Sequence, residues 1–189
     1  MSKEHFNILY VDDEEQNLIS FKATFRKEYQ VFTANSGHQG LEVLKQKPIQ
    51  MVVTDQRMPG MTGVEFLEKV VPQYPETIRV LLTGFSDIEA IIGAINSGRV
   101  FRYITKPWDE NELRMTLENA RQIYDLQSKN RDLLNELKSK VEEQERTLKL
   151  FSKYVPEEIV KSSLNHPEKS LLGGEMRHAA ILFCDIRGF

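Results

Sequence analysis

The polar side chains that could do chemistry stand where predicted strands end. Asp12 and Asp13 follow the first apolar run of the chain, and Asp55 follows the third. Thr83 ends the fourth run, and Lys106 comes directly after the fifth. Three carboxylates at one edge of a sheet repel one another unless a cation lies among them or one is protonated. Carboxylate oxygens at a water-accessible edge suit Mg²⁺, so we expect a magnesium site.

This set of residues predicts phosphoryl transfer. A carboxylate beside Mg²⁺ can attack phosphorus and form an aspartyl phosphate. Mg²⁺ and the Lys106 ammonium would neutralise the phosphoryl oxygens, and the Thr83 hydroxyl can donate a hydrogen bond to one of them. Each residue also has an ordinary role open to it: a helix cap for Asp12, a turn for Asp55, a strand position for Thr83 and a surface amine for Lys106. Their joint occurrence at four strand ends favours the site.

The elements that must position these residues alternate along residues 6–107. Five β-rich apolar runs predict strands, at 6–11, 29–34, 51–54, 78–83 and 100–105. Helical spacing of apolar residues between them predicts four helices, marked by Leu18 and Phe21, by Leu41 and Leu44, by Phe66 and Val70, and by Ile88, Ile91, Ile92 and Ile95. Runs this apolar indicate a sheet covered on both faces. We therefore expect an α/β fold with a doubly wound five-stranded parallel sheet, whose ligands lie at the carboxyl ends of its strands.

A long helix is predicted to follow, over residues 109–155. Asp109 with Glu112 three residues later is typical of a capping box. A heptad pattern set on Leu113 runs to Val155 without proline or glycine, with polar breaks on its seam. Because a helix of this length exceeds what one small domain can cover, we expect a dimeric coiled coil. A solvated single helix is the alternative.

Composition restricts the location and the partners. The 189 residues carry a net charge of −3, and neither half is basic, so we expect no nucleic-acid partner. No apolar run approaches the roughly 20 residues of a membrane span, so we expect no membrane association. A single cysteine fits a reducing compartment, and the start of the chain does not resemble a signal peptide. These features predict a cytoplasmic protein.

The strand-end motifs resemble those of the response-regulator receiver (CheY-like) family. The segments that carry the resemblance are ILYVDDEEQN, VVTDQRMPGMTGVEF, VLLTG and YITKP, within residues 5–125. The resemblance implies a receiver domain over 1–125 with a flavodoxin-like fold. It also implies that a partner histidine kinase phosphorylates Asp55.

The same resemblance implies a ligand set for the Mg²⁺ cofactor. Asp13 and Asp55 would hold the ion, with Asp12 acting through water and the main-chain carbonyl of Arg57 as a further ligand. In this family the positions two beyond the phosphoacceptor and two beyond the threonine influence the lifetime of the phosphate. These positions are Arg57 and Phe85, and their bulk predicts a long lifetime.

The resemblance also implies a conformational switch. Thr83 and Tyr103 would form the switch pair, with the aromatic ring moving inward when Thr83 follows the phosphoryl group. We expect the face formed by the fourth helix, the fifth strand and the fifth helix to change, and the long helix to carry that change onward.

The last segment, RHAAILFCDIRGF, resembles the start of the class III adenylate/guanylate cyclase catalytic domain. Residues 156–189 are then a linker and a truncated first strand, and Asp185 a possible metal ligand of the cyclase. The chain stops before a complete catalytic domain, so its own enzymatic activity is left open; the parent protein would be a nucleotidyl cyclase.

The function predicted from the sequence is a two-component response regulator that signals through a dimeric coiled coil to a cyclase output. The alternative is a non-enzymatic, phosphorylation-switched module for dimerisation or interaction. A DNA-binding regulator is disfavoured, because the tail is acidic and lacks a basic recognition helix.

Overall fold

The computed structural model describes residues 6–84, 93, 100–155 and 178. The strands are β1 Asn7–Val11, β2 Gln30–Ala34, β3 Met51–Asp55, β4 Ile78–Thr83 and β5 Arg102–Thr105. The helices are α1 Glu15–Phe25, α2 Gly37–Gln46, α3 Gly63–Gln73 and a long helix, Glu110–Phe151. Apart from Gly93, which is helical, the predicted fourth helix at 88–95 lies outside the described residues, as do Phe85 and Asp185.

The five strands form one parallel sheet in the order β2-β1-β3-β4-β5. The chain leaves β1 toward one edge to make β2 and returns to the other side of β1 to make β3. This reversal places a crevice at the carboxyl ends of β1 and β3, which are direct neighbours. The predicted α/β class and flavodoxin-like sheet are confirmed.

The core lies in two layers, one on each face of the sheet. Ile8 and Tyr10 of β1 pack with α1 and the long helix, while Leu9 and Val11 pack with α2 and α3. All four side chains are fully buried. Because successive side chains of a strand point to opposite faces, a strand covered on both sides must be apolar throughout.

Asp109 caps the start of the long helix, which is one half of the predicted capping box. The Asp109 carboxylate accepts hydrogen bonds from the main-chain N–H groups of Asn111 (2.9 Å) and Glu112 (3.0 Å). The helix ends at Phe151, four residues before the predicted limit, and turns follow it. The chain divides into two compact units; the first ends at Asp132 and the second begins at Leu133. In the part of the chain that the structure describes, no helix combines the length and apolar character needed to cross a bilayer.

In the first turns of the long helix, residues of the predicted coiled-coil seam pack on the sheet of their own domain. Leu113 and Ala120 are fully buried against the sheet, and Ile123 packs on the same cluster. These positions were expected to face a partner helix, and they face their own domain instead. Among the described seam positions, the exposed large apolar side chains lie farther along the helix, at Leu134, Leu137, Val141, Leu148 and Phe151.

Candidate functional site

Two carboxylates and one ammonium meet at the carboxyl edge of the sheet. Lys106 Nζ lies 2.9 Å from Asp12 Oδ2 and 2.6 Å from Asp55 Oδ1. Asp12 follows β1, and Asp55 ends the neighbouring strand β3. Lys106 follows β5 and reaches both carboxylates across the end of β4. The peptide bond from Lys106 to Pro107 is cis. Three residues that are distant in sequence thus form one polar cluster.

Asp12 is held by hydrogen bonds on both oxygens. Its Oδ1 accepts from the Glu14 main chain and from Asn17 Nδ2, each at 3.0 Å. Its Oδ2 accepts from the Tyr10 hydroxyl at 2.6 Å, from Lys106 at 2.9 Å and from the same Asn17 Nδ2 at 3.2 Å. Burial alone would raise the pKa of Asp12, but the hydrogen bonds from Tyr10, Lys106 and Asn17 outweigh it and hold the pKa below its usual value. Asp12 is therefore an ionised and fixed anchor.

Asp55 has a different balance of forces. Its Oδ2 accepts from the main-chain N–H of Arg57 at 2.9 Å, and its Oδ1 faces Lys106. Burial raises the pKa of Asp55 more than the lysine lowers it. Burial would lower the pKa of Lys106, but its hydrogen bonds to Asp55 and Asp12 raise it. The ionised form of Asp55 is thus destabilised in this site. An additional cation, or the loss of its charge, would relieve that destabilisation.

Replacing Asp55 by Asn should therefore stabilise the fold at neutral pH. A carboxyl whose folded pKa is raised loses stability as pH rises through that pKa, and the neutral amide avoids this loss. We expect a Tm a few degrees above that of the wild type at about pH 7, with the difference shrinking toward about pH 4. Calorimetry in Mg²⁺-free buffer measures both values. A variant that is less stable at neutral pH contradicts the assignment, and Asp132→Asn, an exposed acid on the long helix, is the control.

Asp13 and Arg57 lie beside the cluster rather than in it. Both side chains are exposed, and they line an open cleft of about 480 Å³ together with Gln56, Met58, Pro59 and Thr62. Across residues 6–84 and 100–155, no three His, Cys, Asp or Glu side chains converge as a ready metal site. The donors at this edge nevertheless suit Mg²⁺, because they are hard oxygens and the Asp13 carboxylate makes no hydrogen bond to another described residue.

The loop after β3 shapes the floor of this cleft. Gly60 has φ of +76°, a conformation that favours glycine. Thr62 and Glu65 form a reciprocal capping box that starts α3. The Gly63 N–H donates to Gln56 O at 3.0 Å, and Gly63 approaches the Asp55 carbonyl closely. The loop therefore folds tightly over the main chain of Asp55.

The two predicted switch residues occupy contrasting positions. Thr83 ends β4 and is fully buried, and its carbonyl accepts from the Lys106 N–H at 2.7 Å. Tyr103 lies in β5 with 39% of its surface exposed. The structure therefore places Thr83 against the lysine segment and Tyr103 toward solvent.

Sequence reasoning missed two residues of the cluster, Tyr10 and Asn17. A signal was present for Tyr10, because residues two apart in a strand share a face and Tyr10 precedes Asp12 by two. Its apolar surroundings made it look like an ordinary core aromatic. Asn17 carries no such signal, since its contact depends on how α1 packs after β1.

Comparison with known proteins identifies the family. A model of the response regulator receiver domain matches residues 8–118, more than half of the chain. The chain belongs to the response regulator receiver family. It is therefore a receiver of the kind used in two-component signalling, and the cluster of Asp12, Asp55 and Lys106 lies within the matched residues.

Curated relatives of this receiver are much longer proteins. The hydrogenase transcriptional regulatory protein HoxA of Cupriavidus necator is 36% identical over 127 residues, which are 67% of this chain and 26% of that protein. The transcriptional regulatory protein ZraR of Escherichia coli K12 is 32% identical over 121 residues, 64% of this chain and 27% of that protein. The chain thus spans about a quarter of the length of these relatives.

Solved structures share the receiver fold. The structure of adenylate cyclase from Rhodopirellula baltica has a TM-score of 0.67 and 31% identity, over 69% of this chain and 98% of the solved one. The signal receiver domain of an HD domain-containing protein from Pseudomonas fluorescens Pf-5 has a TM-score of 0.62 and 33% identity, over 65% of this chain and 98% of the solved one.

Proposed function

We propose that this receiver accepts a phosphoryl group on Asp55 from a partner histidine kinase and signals through its long helix to a class III nucleotidyl cyclase output. The observation that supports this most is the Lys106 ammonium between two buried carboxylates at the carboxyl edge of the sheet. This arrangement provides a nucleophile, a fixed anion and a cation at one point. Membership of the receiver family supports a histidine kinase as the donor.

The reaction follows from the charges of the site. An Asp55 carboxylate oxygen attacks phosphorus, an O–P bond forms, and the N–P bond of the donor's phosphohistidine breaks with its electron pair left on the ring nitrogen. Lys106 then loses one carboxylate partner and gains a phosphoryl oxygen, so its charge stays paired. Asp13, Asp55 and the Arg57 carbonyl would hold Mg²⁺, with Asp12 acting through water. When bound, the ion supplies charge neutralisation at the phosphoryl oxygens.

The proposed switch uses the contrast between Thr83 and Tyr103. A phosphoryl group on Asp55 offers oxygens to the Thr83 hydroxyl, which donates to the carbonyl of Gly84 in this structure at 3.1 Å. Movement of Thr83 makes room for the exposed Tyr103 ring to turn inward. The long helix follows β5 closely, so we propose that it receives the change.

Replacing Asp13 by Asn should weaken Mg²⁺ binding on the order of tenfold or more, because it removes one of the proposed charged ligands. Trp108, the only tryptophan, lies two residues after Lys106, and its fluorescence can follow an Mg²⁺ titration. Asp132→Asn should titrate like the wild type. Equal affinity in the Asp13 variant would remove Asp13 from the ligand set.

We propose that the exposed seam of the long helix pairs with a second copy of this chain. Leu137 and Val141 are 59% and 45% exposed, which is unusual for apolar residues spaced as a coiled-coil seam. In a parallel pair Lys140 would face the partner helix near its Glu145, an attractive pairing of outer positions. The seam therefore suits a parallel homodimer.

Leu137→Glu should convert that dimer to a monomer, because it places charges on both sides of the seam. Light scattering measures the molar mass, with and without beryllofluoride as a phosphoryl mimic. Leu150→Glu is a matched control, since Leu150 is also 59% exposed but lies off the seam. A wild type that is monomeric in both conditions refutes the pairing.

The cyclase output rests on the motif at Asp185; in addition, one solved structure that shares the receiver fold is that of an adenylate cyclase from Rhodopirellula baltica. The test is to assay the full natural protein for cyclic nucleotides formed from ATP and GTP, with Asp185→Asn as the inactive variant. Product formation that Asp185→Asn leaves unchanged would contradict the role of Asp185. No product with either nucleotide favours the non-enzymatic module, and specific DNA binding would align the protein with the transcriptional regulators HoxA and ZraR.

A further inference from the structure

Tyr10 is a buried core aromatic whose polar end reaches the proposed phosphorylation site. Its side chain is fully buried, and its ring stacks on Phe21 with centroids 4.2 Å apart. Its hydroxyl donates to Asp12 Oδ2 at 2.6 Å. Because the packing holds the ring, it also holds the hydroxyl in place.

The oxygen that Tyr10 contacts is the one that Lys106 contacts. Asp12 Oδ2 accepts from Tyr10, from Lys106 Nζ at 2.9 Å and, at the longer distance of 3.2 Å, from Asn17 Nδ2, which also donates to Oδ1 together with the Glu14 main chain. Tyr10 and Lys106 therefore share the negative charge of one carboxylate oxygen. The same ammonium lies 2.6 Å from Asp55. Without the hydrogen bond from Tyr10, Asp12 Oδ2 would attract the Lys106 ammonium more strongly and would draw it away from Asp55.

We propose that Tyr10 is a positioning residue for phosphoryl transfer, which donates to Asp12 and so leaves Lys106 free to follow the phosphoryl group onto Asp55. The inference rests on the proposed function, since it assumes that Asp55 is the phosphoacceptor. It assigns the tyrosine hydroxyl a role that its ring alone cannot fulfil. A phenylalanine at this position keeps the stacking on Phe21 and loses only the hydrogen bond.

The test is Tyr10→Phe with acetyl phosphate as donor and saturating Mg²⁺. We expect phosphorylation to slow about tenfold, the size of one charge-assisted hydrogen bond. Beryllofluoride binding, followed by Trp108 fluorescence, should weaken by a similar factor, while the Mg²⁺ concentration at half saturation should change less than about twofold. Tyr29→Phe is the matched control, because Tyr29 is a buried tyrosine of the same hydrophobic core layer as Tyr10. This variant should react like the wild type.

A double-mutant cycle separates positioning from general destabilisation. If Tyr10 acts through Asp12, Tyr10→Phe should add little to the defect of Asp12→Asn. An undiminished further loss in that background overturns the inference, as does a Tyr10→Phe protein that reacts at the wild-type rate. A wild type that takes up no phosphoryl group from acetyl phosphate or from a kinase refutes the proposed function itself.

Discussion

Replacing Asp55 by Asn is expected to lower phosphorylation of this receiver by at least about a thousandfold, because the amide nitrogen and oxygen cannot act as the carboxylate nucleophile. The fold should persist, since the substitution is isosteric and relieves the burial of a charge. Intact mass measured after incubation with acetyl phosphate and Mg²⁺ reports the phosphoryl group. The loss should therefore appear in a protein with an equal or higher Tm.

Controls for that result are available on the same chain. Asp132→Asn removes an exposed carboxylate of the long helix and should leave phosphorylation unchanged. If the Asp55 variant is phosphorylated at the wild-type rate, another side chain must be the acceptor. Asp13 is the first alternative, because it is an exposed carboxylate on the same cleft.

Replacing Gly63 by Ala is expected to cost about 3 kcal/mol of stability, the upper end of overpacking costs, and to slow phosphorylation. A Cβ at Gly63 would lie 2.3 Å from the Asp55 carbonyl oxygen and 2.8 Å from Leu81 Cδ1. The backbone oxygen cannot rotate away, so the loop after β3 must shift. That shift would move the phosphoacceptor itself. Denaturant unfolding measures the stability and acetyl phosphate the rate.

Gly60→Ala is the comparison for this variant. A Cβ at Gly60 meets nothing within 4 Å, so the cost there comes only from its φ of +76° and should be about 1 kcal/mol. Phosphorylation by the Gly60 variant should stay close to that of the wild type. A Gly63 variant no less stable than the Gly60 variant would show that the loop relaxes freely around Asp55.

The strands and the polar residues at their ends could be predicted because both depend on short sequence patterns. An apolar run such as Met51–Thr54 can be buried on both faces only in a covered sheet, and a carboxylate directly after it must lie at the sheet edge. The meeting of Asp12 with Asp55 also follows, once a doubly wound strand order is assumed. Tyr10 was missed because its ring fits the pattern of a core residue, whereas its hydroxyl donates a hydrogen bond to Asp12.

Short sequence patterns are enough to specify which residues stand at the carboxyl edge of the sheet and that a long amphipathic helix follows them. Which surface that helix covers depends on tertiary packing. Leu113 and Ala120 have the spacing of a coiled-coil seam, and this spacing is the same whether a helix packs on a partner or on its own sheet. Likewise, only the packed sheet brings Lys106 between Asp12 and Asp55. The reason is that periodicity reports which face is apolar, whereas the partner of that face depends on contacts between distant segments.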